Sequence, residues 1–247
     1  MSLPTPTPTP TPSLLRLPPS TPGENAYKVP VLLYHYIEVA PPQDPARGAL
    51  ATPPDVLDTQ FALLAAGGFT PITFDELAAA MNGKITLPAK PVILTFDDGY
   101  ADFYANAYPI LQKYHMKAVS FIPTGLIGGG NYMTWGQVEE LARSPYVVFG
   151  AHSIHHPDLT RLSLAALRSE IVESKHTLES HVGYIVNWFA YPYGLFDENV
   201  VSDVRGAGYI GSVTTIPGSF QYQSRLFYIP RYRAGKRTGE DFLRLVR

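Results

Sequence analysis

The chain has 247 residues, of which 45% are apolar, and its formal net charge at pH 7 is −2. This length and apolar fraction suffice for one large α/β domain, and the charge balance leaves no basic surface for nucleic acid or an anionic membrane. The absence of cysteine excludes disulfides and thiolate metal sites, so His, Asp and Glu are the candidate ligands for a metal.

Alternating proline and threonine fill the beginning of the chain, from Pro4 to Pro12. Such a segment cannot contribute to a core, so we predict a disordered linker over 1–26 and one folded domain over 27–247. Spacers of this composition commonly tether extracellular domains. We therefore expect a signal peptide or lipid anchor upstream of the spacer, and a protein that is secreted or attached to the cell surface. A plain disordered tail is the alternative.

Apolar runs and helical periodicities alternate along the rest of the chain. The predicted strands are 29–37, 91–96, 117–122, 146–149, 185–191, 209–213 and 225–229. The predicted helices are 56–66, 73–81, 101–114, 134–143, 163–182 and 198–207. This alternation predicts a parallel sheet with crossover helices, and about seven strands in one domain favour a closed or nearly closed (β/α) barrel.

Two adjacent carboxylates, Asp97 and Asp98, follow the apolar strand 91–96 and precede Gly99, which permits a sharp turn. The carboxyl end of a buried strand is the usual place for chemistry in α/β folds. Two adjacent carboxylates repel each other, so both stay ionised only beside a cation or a hydrogen-bond donor. The alternative is a solvated Asp-Asp-Gly turn without a chemical role.

Three of the seven histidines lie within five residues of the loop that follows the strand 146–149. Imidazole and carboxylate are the natural ligands of a divalent metal in a chain without cysteine, so this cluster predicts a metal site. Spacing alone does not decide whether His155 or His156 accompanies His152. A histidine-rich surface loop without a ligand is the alternative.

Two weaker signals lie at other predicted strand ends. The segment Tyr191-Pro-Tyr-Gly194 joins a proline that ends its strand to a glycine that lets a ligand approach the backbone. His35 lies near the end of the first strand. A lone histidine on an apolar strand is more often a core residue, but its position level with the other signals makes it a candidate for catalysis.

Together these segments resemble the polysaccharide deacetylases of carbohydrate esterase family four. Thr95-Phe-Asp-Asp-Gly-Tyr100 matches the first motif of that family, His152-Ser-Ile-His-His156-Pro157 matches the second, and Tyr191-Pro-Tyr-Gly194 matches most of the third. The resemblance implies a distorted (β/α) barrel that hydrolyses N-acetyl groups of a polysaccharide. It also implies one divalent metal held by Asp98, His152 and His156, and Asp97 as the catalytic base.

Two departures from the family pattern point to a subgroup. The fifth motif, leucine-x-histidine near the C-terminus, is absent there, but Leu33-Tyr-His35 has that form near the N-terminus. First and last strands of a barrel are neighbours, so this exchange preserves the site. The rearrangement resembles the circularly permuted subgroup that deacetylates poly-β-1,6-N-acetylglucosamine, a biofilm exopolysaccharide. The resemblance implies His35 as general acid and the backbone N–H of Tyr193 as an oxyanion donor.

The second departure concerns an arginine that orients the base in the family, because Ala190 occupies its position here. A replacement is expected from a strand beside the site, and Arg231, just past the last predicted strand, is the best candidate. A guanidinium stays charged and offers a planar fork to a carboxylate. Alternatively, Arg231 is a surface residue of a basic tail.

Several choices stay open from the sequence. Zinc is the default metal from the ligand types, with nickel, cobalt or iron as alternatives. The glycan is alternatively peptidoglycan or a chitin oligomer, and a catalytically impaired glycan-binding module would also suit the loss of arginine at position 190. A phosphoesterase is disfavoured because the motifs hold no second metal set and no basic cluster. We expect a monomer whose partner is its polysaccharide.

Overall fold

The computed structural model describes residues 16–247, in which ten strands and eight α-helices follow one another along the chain. The strands are β1 (Tyr27–Lys28), β2 (Val31–Tyr34), β3 (Thr70–Pro71), β4 (Pro91–Asp97), β5 (Ala118–Ile122), β6 (Val147–Ala151), β7 (Trp188–Ala190), β8 (Gly211–Val213), β9 (Phe220–Gln221) and β10 (Tyr232–Arg233). The helices are α1 (Pro45–Leu50), α2 (Pro54–Ala66), α3 (Phe74–Met81), α4 (Tyr108–Tyr114), α5 (Trp135–Ala142), α6 (Leu164–Val182), α7 (Glu198–Gly206) and α8 (Gly239–Leu243).

Seven parallel strands form the main sheet in the order β10-β2-β4-β5-β6-β7-β8, and β3 pairs with the start of β4. A separate antiparallel pair joins β1 to β9. The sheet curls, with helices packed on its outer face. Every residue of β2, β4 and β5 is buried, as in parallel sheets that are covered on both faces. The prediction of a distorted (β/α) barrel with about seven parallel strands is confirmed.

The segment 229–234 links the two edges of the curled sheet. Ile229 bridges Val213 of β8 in parallel, and Tyr232 and Arg233, which follow after two residues, pair with Leu32 and Leu33 of β2. The first and last segments of the folded chain are therefore neighbours. Arg231 lies between these two contacts, and its guanidinium points into the interior of the barrel, where it is 1% exposed.

The predicted strand 225–229 is wrong. Residues Gln223–Tyr228 form a 3₁₀ helix, and the last strand begins only at Tyr232. The apolar run is too short to distinguish a strand from a single helical turn by periodicity. In the fold, Phe227 is buried and its carbonyl accepts the hydroxyl of Tyr191, which fixes the turn.

Two of the predicted helices begin with a capping box, formed by Thr73 with Glu76 and by Thr134 with Gln137. The helix predicted over 101–114 is not a regular α-helix throughout, because a π-helical turn, Phe103–Ala107, directly precedes α4, and Pro109 is the second residue of α4.

Side-chain alternation along β4 decides which residues enter the barrel. Val92, Leu94 and Phe96 pack outward against the helices, whereas Ile93 belongs to the interior cluster with residues of β5 and β7. Since successive strand residues point to opposite faces, Asp97 shares the interior face with Ile93. The first carboxylate of the Asp-Asp pair therefore points into the end of the barrel.

Residues 1–15 of the predicted linker lie outside the described residues, and the division into linker and domain stays a prediction. Between Arg16 and Ala26 there is no strand or helix, but the carboxylate of Glu24 accepts the backbone N–H of Ser224 at 3.0 Å. Over residues 16–247, no helix combines the length and apolarity that crossing a membrane demands.

Candidate metal and catalytic site

A cleft of about 530 Å³ opens at the carboxyl ends of the parallel strands. It gathers side chains from segments that are far apart in the sequence. Its lining includes His35, Asp97, Asp98, His152, His156 and Tyr193. The three sequence segments that resemble family motifs and the distant His35 therefore meet at one edge of the sheet, as parallel strands dictate.

Asp98 lies just beyond the tip of β4 in a left-handed backbone conformation, with φ 75°, and Gly99 follows with φ 72°. A Cβ at Gly99 would come within 2.9 Å of the Ile122 side chain, so only glycine fits the turn without a shift. This turn directs the Asp98 carboxylate toward two imidazoles. Its Oδ1 is 3.4 Å from Nε2 of His152 and 3.5 Å from Nε2 of His156.

His152 follows β6 and is 2% exposed. Its backbone N–H donates to the Ile122 carbonyl, and its Nδ1 lies 2.7 Å from the carbonyl oxygen of Ala190. Only a protonated Nδ1 can donate to a carbonyl, so Nε2 is the ring nitrogen that this contact leaves facing the cleft. Ala190, where the family pattern has arginine, thus orients this imidazole through its backbone.

His156 also adopts a left-handed conformation, with φ 57°, and its backbone N–H donates to the Ser153 hydroxyl at 2.9 Å. Burial and the neighbouring His152 lower the pKa of His156 to about 4. Its imidazole is therefore neutral near pH 7 and offers a lone pair to a cation.

Asp98, His152 and His156 each contribute one ligand atom to a set in which all atoms lie within 4.8 Å of one another. One carboxylate oxygen and two imidazole nitrogens at this spacing fit a divalent transition metal such as zinc. The Ala190 contact of His152 is the kind of outer hydrogen bond that orients metal-binding histidines. These donor atoms therefore fit the divalent metal that the sequence predicts. Which metal it is stays a prediction.

His155, the competing histidine of the loop, points away from these ligands. Its side chain is 66% exposed, and Nδ1 lies 2.7 Å from a carboxylate oxygen of Glu170 on α6. Glu170 also accepts the backbone N–H groups of Ile154 and His155. The sequence analysis missed Glu170, because nothing in the helix pattern distinguishes it from the other charged residues of α6.

Arg231 contacts Asp97 with both terminal guanidinium nitrogens, at 2.8 and 2.7 Å, and both side chains are nearly fully buried. The remaining donors reach the Thr214 carbonyl and the Thr95 hydroxyl. Burial acts to raise the pKa of Asp97, but the charge and hydrogen bonds of Arg231 outweigh it and hold that pKa below its ordinary value. Asp97 is thus an ionised carboxylate beside the candidate ligands.

His35 lies directly after β2 at the cleft. Its Nδ1 is buried and has no hydrogen-bond partner within residues 16–247. Burial lowers the pKa of His35, while the charges of Asp98 and Asp97 act in the opposite direction. An imidazole at this place can hold or release a proton inside the cleft.

Tyr193 and Tyr100 line two further parts of the cleft. Tyr193 has φ 58° and is 61% exposed, and its ring stands edge-on to His156 with centroids 4.5 Å apart. Tyr100 stacks between Tyr36 and Tyr132, at centroid distances of 3.8 and 5.3 Å. Tyr100 and Tyr132 line the cleft, which agrees with a flat ligand such as a sugar ring. In the sequence, the only sign of these aromatic side chains at the cleft is the count of 16 tyrosines.

Comparison with known proteins identifies the family. The sequence profile described as polysaccharide deacetylase matches residues 84–211, slightly more than half of the chain. The chain therefore belongs to the polysaccharide deacetylase family and is a deacetylase hydrolase. The matched region contains all three segments that resemble family motifs, whereas His35 and Arg231 lie outside it.

Three similar proteins extend beyond that region. A Bacillus subtilis protein assigned to the polysaccharide deacetylases, YxkH, is 29% identical over 210 residues, which cover 85% of this chain and 72% of the relative. The poly-β-1,6-N-acetyl-D-glucosamine N-deacetylase of Escherichia coli K12 is 28% identical over 71% of this chain, but the match spans only 32% of that protein. The solved structure of the Streptococcus pyogenes deacetylase PplD, in complex with acetate, superposes with a TM-score of 0.84 and 30% identity over 90% of this chain and all of that one.

Proposed function

We propose that this polysaccharide deacetylase is a metal-dependent enzyme that removes N-acetyl groups from N-acetylglucosamine units of an extracellular polysaccharide, namely poly-β-1,6-N-acetylglucosamine of biofilm. The observation that carries the proposal is the buried ion pair of Asp97 and Arg231 beside the Asp98, His152 and His156 cluster. That arrangement provides an ionised base next to a set of metal ligands. The linkage is supported by the similarity to relatives named for that glycan.

The reaction is hydrolysis of an amide. Water adds to the acetyl carbon, the C–N bond breaks, and acetate and a protonated glucosamine amine are released. A divalent cation held by Asp98, His152 and His156 would supply Lewis acidity to the water and to the amide carbonyl. Zinc is the default for this ligand set, and nickel, cobalt or iron are the alternatives.

Asp97 accepts the proton of the attacking water in this mechanism. Arg231 keeps its carboxylate ionised and fixes its direction through two parallel hydrogen bonds. The two neighbouring carboxylates thereby have separate tasks, because Asp98 faces the imidazoles and Asp97 faces its guanidinium partner. A positioned base of this kind contributes about 10²–10⁴ to the rate.

The remaining steps require an oxyanion donor and an acid. The backbone N–H of Tyr193 stabilises the negative oxygen of the tetrahedral intermediate. An amine is a poor leaving group, so it needs a proton as the C–N bond breaks, and His35 gives that proton. The position of both residues on the same cleft supports these roles.

The location and state of the protein are part of the proposal. A substrate outside the cell implies that the protein is secreted or attached to the cell surface. The Pro-Thr repeat of the sequence agrees with a tether. We also propose that the domain acts as a monomer on its polysaccharide.

Acetate release from defined oligomers tests the proposal. We expect release from a β-1,6-linked N-acetylglucosamine oligomer, loss of release with a chelator, and recovery with added zinc. Release only from β-1,4-linked chitin or peptidoglycan oligomers would reassign the glycan and leave the chemistry in place. Binding of oligomers without any acetate release, in the presence of each metal, would instead indicate a glycan-binding module.

A further inference from the structure

Glu170 makes three hydrogen bonds to the loop that carries the candidate metal ligands. One carboxylate oxygen accepts the N–H groups of Ile154 and His155 at 2.8 and 3.0 Å, and the other lies 2.7 Å from Nδ1 of His155. The Glu170 side chain is only 13% exposed. A carboxylate that accepts two backbone N–H groups and an imidazole at once is a specific anchor rather than a solvated surface charge.

The anchored loop is strained on both sides of the contact. Ser153 and His156 have φ values of 64° and 57°, a region that non-glycine residues rarely adopt. Such conformations persist only where the surroundings hold them. The other side of the loop is held by Thr124 and Gly125, whose N–H groups donate to the carbonyls of Ser153 and Ile154. Glu170 supplies the corresponding contacts from the helix side.

The Glu170 carboxylate also gives the adjacent residues His155 and His156 different side-chain directions. His155 bonds to Glu170 and is largely exposed, whereas the side chain of His156 is 19% exposed and faces Asp98 at 3.5 Å. Both histidines line one cleft, so a free His155 imidazole would be a competing donor a short distance from the ligand set. The bond to Glu170 keeps that imidazole turned away.

We propose that Glu170 is a positioning residue for the metal site. It holds the loop 152–156 in the conformation that presents His156 to the metal, and it keeps His155 out of the ligand set. The inference rests on the proposed metal site and extends it to a residue on a different element, α6. Glu170 lies at the edge of the buried face of that helix, three residues after the buried Leu167.

Zinc affinity in competition with a chromogenic chelator tests this role. The variants are Glu170→Ala, which removes all three bonds, and Glu170→Asp, which keeps the charge but withdraws the carboxylate by about 1.5 Å. We expect both to weaken zinc binding about 10–100-fold, the usual effect of losing an outer partner of a ligand. Glu170→Gln keeps an acceptor oxygen for the two N–H groups and should restore affinity to near the original value.

Glu173→Ala is the matched control, because Glu173 lies on the same helix, is exposed and, within residues 16–247, hydrogen-bonds through its side chain only to Ser169. Zinc affinities of Glu170→Ala and Glu170→Asp equal to that of Glu173→Ala would overturn the proposal. If Glu170→Ala does not fold, Glu170→Asp decides by the same criterion. Failure of the unsubstituted chain to bind zinc would instead refute the metal site itself, so the two failures are distinguishable.

Discussion

Arg231 and Asp97 form a two-pronged ion pair inside the end of the barrel, with Nη1 2.8 Å from Oδ1 and Nη2 2.7 Å from Oδ2. The residues are 134 positions apart in the sequence. Arg231 is brought to Asp97 because segment 229–234 contacts both β8 and β2. Its side chain reaches Asp97 from a different segment than the arginine of the family pattern, whose position is held by Ala190.

Removing both partners of this pair should cost less than the sum of the two single removals. Arg231→Gln leaves a buried carboxylate without its counter-charge, and we expect a loss of about 3–5 kcal/mol in the free energy of unfolding. The double variant with Asp97→Asn should lose less than the sum of the single variants. Denaturation of the metal-free protein measures this coupling. Arg233→Gln, an exposed neighbour, is the control, and additive losses would argue against a coupled pair.

Asp97→Asn should retain bound metal and lose catalysis. The amide cannot accept the proton of water, so we expect deacetylation to fall by about 10²–10⁴. Zinc content by elemental analysis and acetate release from the same sample provide both readouts. Turnover close to that of the unsubstituted enzyme, with zinc bound, would place the base elsewhere.

His35→Gln should impair the step in which the amine leaves. The loss, about 10²–10⁴ on the amide substrate, should largely disappear with 4-nitrophenyl acetate, because nitrophenolate departs without a proton. Comparing kcat on the two substrates, with zinc content measured, checks this assignment. An equal loss on both would indicate that His35 acts on binding or structure rather than as the acid.

His152→Ala should abolish zinc binding, since it removes one of three protein ligands. Equilibrium dialysis followed by elemental analysis measures the stoichiometry. The control is His176→Ala, which removes an exposed imidazole on α6. Full zinc occupancy in the His152 variant would exclude it from the ligand set.

Asp102 should make stability depend on pH in a way that does not involve the metal. One of its oxygens accepts the Ile37 N–H, the other is buried without a partner in the described chain, and burial raises the pKa of Asp102 to about 6. The pKa of Asp102 is higher in the folded protein than in the unfolded chain, so the folded state binds the proton more tightly. The contribution of this carboxyl to the free energy of unfolding is therefore full below about pH 4 and is lost as pH rises through 6.

The measurement is the free energy of unfolding of the unsubstituted protein and of Asp102→Asn from pH 4 to 8. Asparagine does not titrate, so the difference should shift in favour of the variant as pH rises, by about 1–3 kcal/mol in total. Asp241→Asn, at an exposed position on α8, provides the control. A difference that stays constant over this range would show that Asp102 titrates alike in both states.

The fold class and most candidate residues of the site could be predicted from the sequence. Apolar runs that alternate with amphipathic helices leave a parallel sheet as the consistent arrangement, and parallel strands bring their carboxyl ends together. Asp97, Asp98 and the histidine loop could therefore be assigned to one edge from local patterns alone. Where the pattern was short, as at 225–229, the strand assignment failed.

Only the tertiary structure decided how these groups pair. Asp97 pairs with Arg231, which lies just before β10. His155 is held apart from His156 by its contact with Glu170 on α6. No local periodicity records such contacts, because they are set by strand order and by the direction in which each side chain leaves its element. The local sequence determines the hydrophobic periodicity of each helix or strand and the conformation of each turn. Which group pairs with a buried charge depends on the three-dimensional packing that removes water from both groups.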